Sequence, residues 1–253
     1  MSESSSSRSS LPVNFRRVSE IQAESTLACG DESLDRFLGG LSLGYVIFLY
    51  GSWQCLALSE LLCVRARLDF SRGGLNSKAV FIDGGNTFDP YLISEYAQRF
   101  SLDQDLALNN ILISRSFTCH QLTSFITQIL PATVHGRRMK FIVVSDIMRL
   151  YHDSDIGSVQ AINLFKTMLN SLTTTARLER SIVLATSLSE KSSDTDPFLD
   201  AVKNRVNIIV RFEEQSHFTK LILEKHPTRS GNLLIKQPTP QVLEEFLGDT
   251  VNG

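Results

Sequence analysis

Hydrophobic residues along the chain fall into two patterns: short solid runs, and longer stretches in which they recur every third or fourth position. Residues 45–50, YVIFLY, are apolar without alternation and rich in β-branched and aromatic side chains. That predicts a strand covered on both faces. Similar runs at 78–83, 110–115, 141–146 and 181–186 predict four more strands. Periodic segments at 56–67, about 90–100, 122–130 and about 158–178 predict helices between them. In the third, Leu122, Phe125, Ile126 and Ile129 share a face; in the fourth, Ile162, Phe165, Leu169 and Leu172 do. A short helix precedes the first strand. Asp31 is its cap, Leu34, Phe37 and Leu38 are its apolar face, and Gly39-Gly40 is its stop. Asp89 and Pro90 start the helix at 90–100 in the same way.

Strands alternating with helices imply βαβ units with right-handed crossovers. The predicted fold is α/β, with a mostly parallel twisted sheet and helices on both faces. Two further strands, 206–212 and 219–224, have no helix between them and predict an antiparallel C-terminal edge pair. Residues 1–20 are read as a disordered Ser-rich tail, 21–237 as one core domain and 238–253 as a C-terminal tail. Within the first tail, Phe15-Arg16-Arg17-Val18 is read as packing on its own domain rather than as a docking peptide.

Composition narrows the function classes. The chain has 253 residues, 42% hydrophobic and 21% charged, with a formal net charge of −2. Its balance gives no whole-chain electrostatic case for nucleic-acid binding. Basic residues gather only locally. Arg137-Arg138-Met139-Lys140 is read as a solvated loop. Lys203, Arg205 and Arg211 are candidate weak DNA contacts, against the plainer reading of a solvated strand edge. Cys29, Cys55, Cys63 and Cys119 lack C-x-x-C spacing and read as reduced thiols of a cytosolic protein. The five histidines have no metal-ligand spacing. No apolar run reaches the roughly 18 residues of a membrane span, and the polar N-terminus is no secretory signal.

The candidate chemistry lies after the first strand. Strand, Gly51, then helix is the layout of a phosphate-binding loop, G-x-x-x-x-G-K-[ST]. Aligned on Gly51 without a gap, residues Gly51, Ser52, Trp53, Gln54, Cys55 and Leu56 form a loop of the right place and length. The lysine then falls on Ala57 and the Mg²⁺-binding hydroxyl on Leu58, so the loop lacks the groups that neutralise phosphates.

Four segments, GDESLDRFLGG, GGLNSKAVFIDGGNTFDP, SLDQDLALNNILISRSFTCHQL and FIVVSDIMRLY, resemble the RecA/RadA recombinase core in order and spacing. The resemblance covers roughly residues 25–237 and identifies a core-only RadA-like paralog with degenerate nucleotide-binding motifs; KaiC-like and RadB-like proteins share this core. It implies a RecA-like fold, and in working members an ATPase that forms filaments on single-stranded DNA. The carboxylate that orients the attacking water would fall on Gly85, and the arginine that packs on adenine on Leu92. The aspartate ending the second nucleotide-binding strand would fall on Ser145, with Asp146 one place late and turned to the other face unless a bulge restores it. The γ-phosphate-sensing glutamine would fall on Leu188. The first inner DNA loop corresponds to 152–157 and the second to about 189–203, both rich in acids. Acidic loops repel phosphates.

Each missing catalytic group costs several kcal/mol of transition-state stabilisation, roughly 10³-fold in rate. The expectation is therefore a non-catalytic paralog, a pseudo-ATPase without a cofactor, with room left for weak ATP binding. It would modulate recombination and repair by binding a RadA-type recombinase, another RecA-fold subunit or, weakly, single-stranded DNA. Its expected place is the cytoplasm, or the nucleus in a eukaryote, without membrane association. The alternatives are an atypical ATPase with Lys78 or Arg115 as a relocated cation, a DNA-binding module without ATP, and a KaiC-like signalling or scaffold protein.

Overall fold

The computed structural model describes residues 26–137, 139–153, 155–188 and 196–236. The tails expected at 1–20 and 238–253, the Phe15 segment, and residues 189–195 of the second inner loop lie outside the described residues.

The described residues open with β1 (Thr26–Leu27), α1 (Glu32–Leu38) and β2 (Leu41–Ser42). Asp31 caps α1 by accepting a bond from the Leu34 amide at 2.9 Å, and Gly39 ends it in the left-handed region at φ 76°, both as the sequence predicts. Then come β3 (Val46–Gly51), α2 (Gln54–Arg67), β4 (Lys78–Asp83), α3 (Pro90–Arg99), α4 (Gln104–Asn109) and β5 (Ile111–Arg115). Asp89 caps α3 and Pro90 occupies its first turn. Next is α5 (Cys119–Ser124), which passes through a π-helical turn at Phe125–Ile129 into α6 (Leu130–Val134). Pro131 has no amide to donate to the preceding turn, which accounts for the irregular ladder there. The chain continues with β6 (Met139–Ser145), α7 (Ser158–Glu179), β7 (Ile182–Ser187), α8 (Pro197–Lys203), β8 (Ile208–Glu214), β9 (Phe218–Lys225) and β10 (Gly231–Lys236).

The main sheet runs β10-β9-β8-β3-β7-β6-β4-β5. The six strands from β8 to β5 are parallel, and β9 and β10 are antiparallel. The antiparallel C-terminal edge is therefore present. It holds one strand more than the sequence signal shows, because β10 is mostly exposed and carries little apolar pattern. β3 lies inside the sheet, and its side chains alternate between two cores. Val46, Phe48 and Tyr50 pack beneath α5 and α7; Ile47 and Leu49 pack against α2 and α3. This is the two-sided burial that the solid run at 45–50 requires. Arg65 ties the second layer together. Its guanidinium donates to the carbonyls of Ala28 (2.5 Å) and Arg72 (2.9 Å) and lies 4.9 Å from the Phe100 ring centroid. All four cysteines are buried and unpaired.

Candidate functional site

In an open α/β sheet, ligands bind beyond the carboxyl ends of the strands. Here that end is built first by Gly51. Its φ of +114° suits only glycine, and a Cβ there would sit 2.1 Å from the Phe212 carbonyl oxygen. The Ser52 amide donates to that same oxygen at 3.2 Å. The helix then begins at Gln54, so only Ser52 and Trp53 connect strand to helix. The full-length loop read over residues 51–56 is thus corrected. The run from Gln54 onward, QCLALSELL, contains no glycine or proline to hold a loop open, and it coils immediately. The Cys55 amide donates to Ser52 O (3.1 Å), and the Leu56 and Ala57 amides to Trp53 O (2.9 and 3.3 Å). A phosphate cradle needs such amides free and convergent. Ala57 and Leu58 lie within the helix, and the Leu58 side chain is in the core. Ser52 Oγ and the Gln54 side-chain amide are buried without a hydrogen-bond partner among the described residues.

The carboxylates of this end are spent on structure. Asp83 is buried at the end of β4. Its Oδ1 accepts from the Thr87 amide (2.9 Å) and Ser145 Oγ (2.9 Å), and its Oδ2 from the Phe88 amide (3.3 Å). Thr87 Oγ1 closes the circuit onto Ser145 Oγ at 3.0 Å. Gly85 has no room for the acidic side chain the resemblance would place there: a Cβ would lie 2.7 Å from Asp146 Cβ and 2.8 Å from Thr87 Cγ2. Asp146 is not turned to the far face. β6 ends at Ser145, and Asp146 takes φ +46°, which swings its carboxylate over Gly85 and onto the Leu188 amide (3.2 Å). A left-handed residue, rather than a bulge, brings the carboxylate back. Burial raises its pKa, a rise opposed by the bond from Leu188 and by nearby Arg149. Arg149, which carries no sequence signal, donates to the Gly85 carbonyl at 2.6 Å.

These residues do not fit a magnesium-bound triphosphate. The loop is two residues long, its following amides are engaged, and Gly85 is closed over. Neither relocated cation reaches the gap. Lys78 begins β4, about 16 Å from the strand's carboxyl end at ~3.3 Å per residue. Arg115 ends β5, four strands from β3, roughly 19 Å at ~4.8 Å per strand, and faces Asp83 at 3.6 Å. Among the described residues, no cluster of His, Cys, Asp or Glu could hold a metal ion.

The three basic candidates do not form a strip. Arg211 Nε donates to Glu224 at 2.8 Å, and its Nη1 pairs with Glu213. Arg205 Nε donates to Asn170 Oδ1 at 2.8 Å. Lys203 is the last residue of α8, where the sequence reading had a loop; Asp196 and Pro197 start that helix. In the first inner loop, His152 Nε2 lies 3.5 Å from Asp196 Oδ2 and its ring packs edge-on against Phe198. No helix among the described residues is long and apolar enough to cross a membrane.

Residues 21–196 match the family model described as Rad51. The chain is 31% identical over 134 residues to the DNA repair protein Rad51 homolog of Drosophila melanogaster, a match covering 52% of this chain and 40% of that protein. It is 32% identical over 155 residues to the DNA repair protein RAD51 of Saccharomyces cerevisiae, covering 58% and 38%. To the human meiotic recombination protein DMC1/LIM15 homolog it is 31% identical over 134 residues, covering 49% and 38%. The chain thus spans well under half the length of these relatives.

Proposed function

The chain belongs to the Rad51 family, and on that premise we propose that it acts in homologous recombination and DNA repair as a non-catalytic paralog. It binds a catalytically active recombinase, or another RecA-fold subunit, and modulates that partner's loading or filament. It turns over no ATP by the family mechanism and needs no nucleotide to hold its shape. The two-residue connection between β3 and α2 carries this reading, because it removes the phosphate cradle itself and not merely its lysine. The relatives' names supply the setting: two are called DNA repair proteins and one a meiotic recombination protein. The test is co-purification with the host's recombinase, followed by strand exchange with and without this chain. Association together with a changed exchange rate is expected. No association and an unchanged rate would refute the proposal.

A further inference from the structure

The end of the sheet opposite the closed loop holds a cavity of about 540 Å³. Three cations line it, each from a different segment: Arg67 from the end of α2, Lys78 from the start of β4, and Arg137 from the turn before β6. Among the described residues, no carboxylate lines it and none of the three makes an ion pair. The arrangement is built rather than incidental. Asn76, held at φ 45°, accepts a bond from Arg67 Nη1 at 3.0 Å and so fixes the guanidinium at the rim. The β4–β6 ladder slips between Lys78 and Ala79, where Lys140 is the extra residue. That bulge sends Lys140 away, to the Glu179 carbonyl, while Lys78 stays at the mouth. Asn110 and Met139 complete the wall with an amide and an apolar surface.

Three like charges converging without a counter-ion repel one another unless an anion joins them. We propose that this cavity is a phosphate-binding site that takes the backbone of a polynucleotide strand, at the end of the sheet remote from the family's nucleotide position. Arg67 provides a directed guanidinium fork, Lys78 and Arg137 provide mobile charge, and Met139 offers an apolar wall to the sugar. The choice of a polynucleotide rests on the proposed role in recombination; the phosphate chemistry does not.

The test uses the full chain and fluorescence anisotropy with a labelled oligonucleotide of about 30 nucleotides over a series of salt concentrations. The variants are Arg67→Gln/Lys78→Gln/Arg137→Gln and, touching only exposed side chains, Lys78→Glu/Arg137→Glu. Each is expected to weaken binding at least about tenfold at ~50 mM salt, and the triple variant to lower the salt slope by roughly 2. Lys203→Gln/Arg205→Gln should change neither. Unchanged affinity and slope in the Lys78→Glu/Arg137→Glu variant would overturn the proposal. So would equal binding of poly-glutamate, and binding of inorganic phosphate with no binding of the oligonucleotide would overturn the choice of a polynucleotide strand. Because no recombinase is present, failure here leaves the partner proposal standing, and failure of co-purification leaves this one standing.

Discussion

At its carboxyl end the parallel sheet is sealed at the turns after β3, β4 and β6, beside a cavity of about 420 Å³ that runs from Gly51 along β8, while at its amino end β4 and β6 open onto a cationic cavity. At the sealed end each turn is closed by its own bonds: Ser52 onto Phe212, Asp83 onto Thr87 and Ser145, Asp146 onto Leu188. At the open end Lys78 and Arg137 have no acidic partner among the described residues. The contrast teaches that the two-sided core of β3, β7, β6 and β4 sustains the family's architecture even where the turn after β3 coils directly into a helix.

If the sealed end is held by close backbone packing, the largest effect should come from Gly51. Gly51→Ala sets a Cβ 2.1 Å from the Phe212 oxygen, at a φ that alanine resists. It should lower stability by about 3 kcal/mol, read as a fall in the denaturant midpoint. A midpoint equal to that of the native chain would mean the β3–β8 junction is slack. Gly85→Glu, which puts back the missing acid, should cost about 2 kcal/mol against Asp146 and Thr87 and produce no ATP turnover. Turnover in that variant would show a catalytic site merely lacking one group.

A smaller effect tests the buried charge behind the seal. Burial pushes the Glu60 carboxyl up from 4.5 to about 7, and Asp89 and Asp83 add repulsion against the bond from the Asp89 amide. The folded chain keeps this proton between about 4.5 and 7 while the unfolded chain releases it. Stability from Glu60 is therefore full below about 4.5 and is lost as pH rises to about 7. Glu60→Gln keeps the acceptor for Asp89 and should be more stable than the native chain at pH 8 by roughly 1–2 kcal/mol, with the difference vanishing near pH 4. A constant difference across pH would contradict the assignment. The smallest effect belongs to the open end: Lys78→Gln alone should weaken oligonucleotide binding about threefold at low salt, and no change would count against the cavity.

Much of the fold was legible because solid apolar runs and capping residues are local signals. The run at 45–50, the cap at Asp31 and the Asp89-Pro90 start each translate directly into an element. β10 was not legible, since it is a mostly exposed strand defined by pairing with β9 rather than by its own pattern. The loss of the phosphate lysine could be read from residue types, but the shortening of the loop could not be read from an ungapped alignment on Gly51. The glycine-free run after Trp53 was the available clue. Asp146 escaped because its φ of +46° depends on the end of a strand. The cavity escaped because Arg137 is remote in sequence from Arg67 and Lys78 and meets them only when β4 and β6 pair.

Calorimetric titration of the full chain with ATP and Mg²⁺ bears most directly on the sealed end. A closed two-residue connection predicts no magnesium-dependent binding tighter than about 1 mM, or roughly −4 kcal/mol. Saturable one-to-one binding in the micromolar range, dependent on magnesium and lost when ATP is replaced by adenosine, would contradict it.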